Sequence, residues 1–437
     1  MRDLRDVEVS TDSAADIEEF ELALKDFQTY TGDPIERIEQ TLTRSPEFVL
    51  GHVFRAINYC LTSERRFMDA AVASLAAAQA LNGSANQREK MLIRATKQLV
   101  EGDWDGAGKV FDAVLTEYPR DIFVLQAAHL LDFFRGDALN LRNRPARALP
   151  DWSESMPGYS YIHGLYAFGL EEMNQYDEAE HHGRKALGLD RVDAWAVHAV
   201  VHVMEMQGRA GEGIQFLESR HADWAPENSL AHHNWWHLGL LYLEQHDDQR
   251  VLQILDDHIA EGGDFSLSLV DVTAMLWRLQ LIGIDLGTRM DQVARIWAEK
   301  MDEVGFYGFN DFHAAMAFAG SGETGLLGEV EAGLVATSAA NDRATSTTTS
   351  QVSLPLVRAL IAMQEDRCGD AVKYMLDVRD VAHRFGGSHA QRDVISLTLL
   401  AAARRNGEER LVQHLMNERD MAKPGGVLAV RVIEKAA

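Results

Sequence analysis

VDAWAVHAVVHVMEMQGRA, residues 192–210, and SLAHHNWWHLGLLYLEQHD, residues 229–247, decide the fold, because each carries the same pair of histidines at helical spacing. His198 and His202 are four apart, as are His233 and His237. That spacing puts both imidazoles of a pair on one side of an α-helix, about one turn apart. The second pair repeats the first thirty-five residues later, and the ladder runs back through His163 and then His129 at thirty-five and thirty-four. A fixed interval in the middle thirties predicts one supersecondary unit copied along the chain.

Outward from this stretch, small residues fall at comparable places after polar turns: Ala71, Ala107, Ala179 and Gly213. Their intervals are again about one or two repeat lengths, and a small side chain there lets paired helices approach closely. Short polar breaks such as Thr31-Gly32-Asp33-Pro34 and Glu101-Gly102-Asp103 separate helical patterns, while strand-like alternation is almost absent. The expected fold is all-α, a tetratricopeptide-like α-solenoid: a right-handed superhelix of roughly a dozen stacked helical hairpins. Residues 14–423 form it, after a loose polar segment 1–13 and before a tail 424–437. Ser10 to Ser13 offer a cap for a first helix beginning near Ala14. Two stretches break the rhythm. Residues 136–158 hold three prolines and read as an insertion, and the Ser/Thr-rich residues 335–352 read as a flexible loop.

The formal charge of −25 argues against phosphate backbones and anionic membranes as partners, so neither nucleic acid nor membrane is expected. The N-terminus lacks an apolar signal core and no stretch is long enough to span a bilayer, which predicts an unexported, cytoplasmic protein. Cys60 and Cys368 form no zinc-ligand spacing and read as core thiols. There is no glycine-rich phosphate loop, dinucleotide fingerprint or nucleophile elbow, so phosphoryl transfer and nicotinamide chemistry have no support.

The motifs resemble the tetratricopeptide repeat protein 38 family. A His-Ala helix ending in Glu-Met-x-Gly-Arg lies at His198, His202, Glu205, Gly208 and Arg209, and a His-Asn-aromatic-Trp-His helix lies at His233 to His237. A downstream Ala-Gln-Arg-Asp element lies at Ala390 to Asp393. The resemblance covers most of the chain, best from Ser160 to His258 and around Gly386 to Leu400. It implies a divergent tetratricopeptide-like solenoid and carries over no settled activity.

Three groups of residues could do chemistry. The first is the histidine ladder, with Glu205 as a third ligand candidate and His198, His202, His233 and His237 as the ligands of a transition metal. Its competitor is a structural ladder of satisfied imidazoles, for which His129 and His163, lacking an i+4 partner, are the natural members. The second is SHAQRDV, residues 388–394, where Ser388 and Gln391 make a capping box and His389, Arg392 and Asp393 share one helical face. Arg392 there could clamp a carboxylate, or an Arg–Asp brace could join repeats. The third is FNDFHAAMAFAG, residues 309–320, with Asp311 or Asn310 as cap and His313 in the first turn. Adjacent Trp235 and Trp236 must point differently, and Asn234 lies between them and His233.

These residue groups suit two functions. A binding protein would take a peptide or small polar ligand in a concave groove lined by these His, Trp and Arg side chains, with no cofactor. An enzyme, a hydrolase or lyase of a small amide, ester or acid, would gather them in an enclosed site with or without a metal. The discriminating observation is whether the rings stand in an open groove or converge in the interior.

Overall fold

Ser13 accepts the Asp16 N–H at 3.2 Å and opens the first helix, Ala14–Thr29, where the cap spacing places it. The same device recurs at Asp33, Asp103, Asp121 and Asp247, each a short acceptor ahead of an apolar-periodic run. In the computed structural model, which describes residues 1–260, 263–340 and 344–436, the described residues are mainly helical and include no strand, only the isolated bridges Arg2–Glu8 and Thr31–Asn228. The fold is all-α and tetratricopeptide-like, built of packed helical hairpins. No helix is long and apolar enough to cross a membrane among the described residues.

Contacts divide the chain into two units, Met1–Val200 with Ala222–Leu230, and Val201–His221 with Ala231–Ala437. In the first unit, consecutive helices pair as hairpins: Ala14–Thr29 with Pro34–Arg44, Val49–Cys60 with Met68–Ala80, Gln87–Val100 with Trp104–Glu117, and Tyr159–Glu171 with Tyr176–Leu189. Ala71, Ala107 and Ala179 are fully buried at these hairpin contacts. In the second unit, Ala231–Glu244 packs on Ala210–Ser219 and on Ser266–Leu281. The Ser266–Leu281 helix in turn meets Gly308–Ser321 and His389–Arg405. The helix Ala194–Met206 is capped by Asp193, which accepts the Ala196 N–H at 2.9 Å.

Four expected boundaries change. Residues 1–13 are held, not loose: Arg5 is buried between Asp3 (2.9 Å) and Glu21 (2.6 Å), and Val7 and Val9 join the core. The stretch 136–158 is mostly a further hairpin partner, the helix Ala138–Ala148 against Ile122–Arg135. Its buried face includes Arg144, 2.5 Å from Asp132, so a hydrophobic pattern could not reveal it. Within 335–352, helix Thr324–Ala340 continues to Ala340 and helix resumes over Ala344–Thr348, followed by a π-helical turn Thr349–Ser353. Residues 341–343 lie outside the described residues. Ser338 and Ser350 donate back to the Leu334 and Thr347 carbonyls, which satisfies their hydroxyls without breaking the helix. The supposed tail holds a helix, Leu428–Ala436, with Leu428, Ala429 and Val432 buried. Cys60 and Cys368 are free buried thiols, and burial pushes the Cys60 thiol up to about 12.

Candidate metal centre

The second unit draws three imidazoles together in its interior. His202 comes from the Ala194–Met206 helix, His233 and His237 from Ala231–Glu244, and all three are buried. The rings of His202 and His237, thirty-five residues apart, lie 4.3 Å from centroid to centroid, and those of His233 and His237 4.8 Å. Each offers a ring nitrogen within 4.8 Å of the other two. The repeat interval therefore made next-door neighbours of residues on successive first helices. His198 precedes His202 by one turn on the same helix, as its i, i+4 spacing requires.

Carboxylates hold two of these rings. His237 donates from Nδ1 to Glu205 Oε2 at 2.9 Å, and His233 donates from Nδ1 to Asp271 Oδ2 at 2.7 Å. With Nδ1 as the donor, a neutral ring keeps its lone pair on Nε2, the arrangement in which histidine ligates a metal with a carboxylate behind it. Glu205 spends one oxygen on the His237 ring. Its second oxygen accepts from Lys423 Nζ at 3.1 Å. Burial holds the His237 imidazole well below its ordinary range, and His202, His233, Lys423 and Arg278 push it the same way. Trp236 is fully buried, stacks on His233 at 5.3 Å and carries the Arg278 guanidinium over its face at 5.3 Å, while Trp235 stacks outward on His258 at 3.9 Å. The two tryptophans do point differently. Asn234 is buried beside His233.

The other expected site residues lie on the helices Gly308–Ser321 and His389–Arg405, both packed on Ser266–Leu281. The capping box of Ser388 and Gln391 forms as expected at the start of His389–Arg405. Arg392 donates to the Gly387 carbonyl, and Asp393 takes the Arg419 guanidinium through both oxygens, the brace alternative. Burial alone would raise the Asp393 carboxyl, but Arg419 overrides it and holds it at about 2. Asp311 does not cap its helix from the N-cap position, which is Tyr307; its Oδ1 reaches back to the Gly305 N–H at 3.1 Å. His313 donates from Nδ1 to the Phe309 carbonyl at 2.8 Å, and burial lowers it to about 4.

The ladder is also not continuous in the first unit. His163 turns to His182, with Nδ1 atoms 2.8 Å apart, while His129 and His198 flank Phe168 at 5.9 and 5.1 Å. Sequence reasoning missed Asp271 and Lys423. Asp271 left one signal, a lone carboxylate in the otherwise apolar helix SLSLVDVTAMLW.

Fold and interior together define a tetratricopeptide-like helical-repeat protein with a carboxylate-backed histidine cluster. No family model matches the chain. Over 96% of its length the chain is similar to a monomeric mutant of IFIT1 solved with Gppp-AAAA, at a TM-score of 0.42 and 13% identity, covering 99% of that chain. Similar figures hold for human IFIT1 dimers solved with m7Gppp-AAAA (TM-score 0.42, 12% identity, 95% of this chain and 98% of that) and with PPP-AAAA (0.41, 14%, 95% and 98%). Such distant likeness transfers neither site nor ligand. It does overturn the expectation that a chain of this kind excludes nucleic acid, since those complexes hold capped or triphosphorylated RNA. Net charge sums over the whole surface and is blind to a local site.

Proposed function

We propose that the protein is a metal-binding helical-repeat protein whose second unit holds a divalent transition ion of the zinc class on His202, His233 and His237. The observation that carries this is the pairing of two convergent, buried imidazoles with their own carboxylates, His237 with Glu205 and His233 with Asp271. A purely structural ladder needs each ring satisfied, but it gives no reason to crowd three of them within 4.8 Å. An ion gives that reason. Zinc ligated at about 2.1 Å by tetrahedral nitrogens wants them roughly 3.4 Å apart, a small closing movement of the rings. Three rings leave a fourth position, which water can take.

Burial of the rings favours an enclosed site over an open concave groove. Membership of the tetratricopeptide repeat protein 38 family belongs to the same reading, because His202, Glu205, His233 and His237, which carry the resemblance, are also the residues that build the centre. The buried free thiols support a reducing, cytoplasmic setting. The test is elemental analysis and calorimetric titration of the full chain with zinc and cobalt(II). One ion per chain, lost in His202→Ala and His237→Ala, is the expected result; a wild-type chain that takes up no ion at micromolar concentration overturns it.

A further inference from the structure

We propose that Lys423 is a positioning residue of this centre, fixing Glu205 so that its carboxylate holds the His237 ring in its ligating orientation. The inference rests on the reading of His202, His233 and His237 as metal ligands. Glu205 divides its two oxygens, Oε2 accepting from His237 Nδ1 at 2.9 Å and Oε1 from Lys423 Nζ at 3.1 Å. Lys423 follows the helix Glu409–Ala422 and arrives 218 residues after Glu205 in the chain. The same ammonium lies 3.3 Å from Glu244 Oε1, at the end of the helix that carries His233 and His237. Glu244 Oε2 accepts the N–H groups of Val427 (2.7 Å) and Leu428 (3.2 Å), which pins the joint leading into Leu428–Ala436. Pro424 packs closely as well: its carbonyl oxygen lies only 2.3 Å from where a Cβ on Gly208, just past the Ala194–Met206 helix, would stand.

One buried cation therefore ties together the ends of the two helices that present the rings. A carboxylate held at one oxygen only can rotate and swing its hydrogen bond away from the imidazole. Held at both, it fixes the plane of the ring behind which it stands. An ion pair that merely anchored the last helix would stabilise the fold without touching the ring.

The test uses the full chain with Lys423→Met and Lys423→Arg, titrated with cobalt(II), alongside the thermal midpoint of each metal-free variant. Loss of an outer partner of this kind costs on the order of 10–100-fold in metal affinity, so Lys423→Met is expected to raise the cobalt Kd by that factor and to shift the d–d absorption. Lys423→Arg restores most of both. The downfield Nδ1–H proton resonance of His237 is expected in the metal-free wild type, lost in the Met variant and kept in the Arg variant. An Met variant with that resonance intact and a Kd within about twofold of wild type overturns the proposal, whatever its thermal midpoint. If the wild type takes up no cobalt, the metal reading falls on its own, and the Nδ1–H resonance still decides the role of Lys423. Should the Met variant fail to fold, Lys423→Gln, which keeps a donor without the charge, enters the same comparison.

Discussion

At the scale of single residues, the proposed metal centre asks its members for different things, and substitution separates them. His237→Ala removes a ring and is expected to abolish stoichiometric zinc binding in a calorimetric titration. Asp271→Asn keeps the size of the side chain behind His233 but offers an amide in place of a carboxylate, and a zinc Kd raised on the order of 10–100-fold is expected. Equal affinity for Asp271→Asn and wild type would remove the carboxylate from the account. The imidazoles were legible in the sequence because both intervals that matter are local rules: four residues for one helical face, thirty-five for the repeat. Asp271 and Lys423 were not, because their contacts span 38 and 218 residues and obey neither interval. Glu205 was legible as a candidate, but not its partners His237 and Lys423, since spacing along a helix does not say which neighbour its carboxylate meets.

At the scale of helices, close approach and buried ion pairs do most of the positioning. A Cβ at Gly169, in Tyr159–Glu171, would overlap the Leu141 carbonyl of the Ala138–Ala148 helix, a backbone atom that cannot step aside. Gly169→Ala is therefore expected to cost about 1–3 kcal/mol in urea unfolding, and a neutral result would mean the hairpin can open without loss. Asp393→Ala would leave the Arg419 guanidinium buried without its bidentate partner, a change that typically costs about 3–5 kcal/mol. The pair also has a pH signature. With its folded value near 2 against an ordinary 3.8, Asp393 contributes stability above about pH 4 that is lost as pH falls through about 2. Existence and pairing of helices were readable from periodicity. The helix at 138–148 was not, because an arginine paired to an aspartate occupies a position where a leucine would have announced it.

For the whole molecule, the response to acid gathers buried groups that pull in opposite directions. Burial lowers His129 to about 3 and His313 to about 4, so each folded ring stays neutral while its unfolded counterpart gains a proton below about 6.5; stability falls as pH drops through that window. Burial also raises Asp132 to about 6 and Asp193 to about 7, and these stabilise the fold as pH falls from there towards 3.8. The histidine contribution is isolated by comparing variants. Between pH 6.5 and 4, the wild type is expected to lose stability against His313→Gln by about 1.4 kcal/mol per pH unit, and parallel profiles would contradict it. The shared carboxylate of Glu205 has a consequence for how the chain is made. Translation at about 5–20 residues per second puts on the order of 10–40 s between the synthesis of Glu205 and of Lys423. If the rings hold an ion as proposed, a nascent chain would meanwhile present His202, His233 and His237 with their outermost clamp still unmade, and would load that ion loosely and lock it only late.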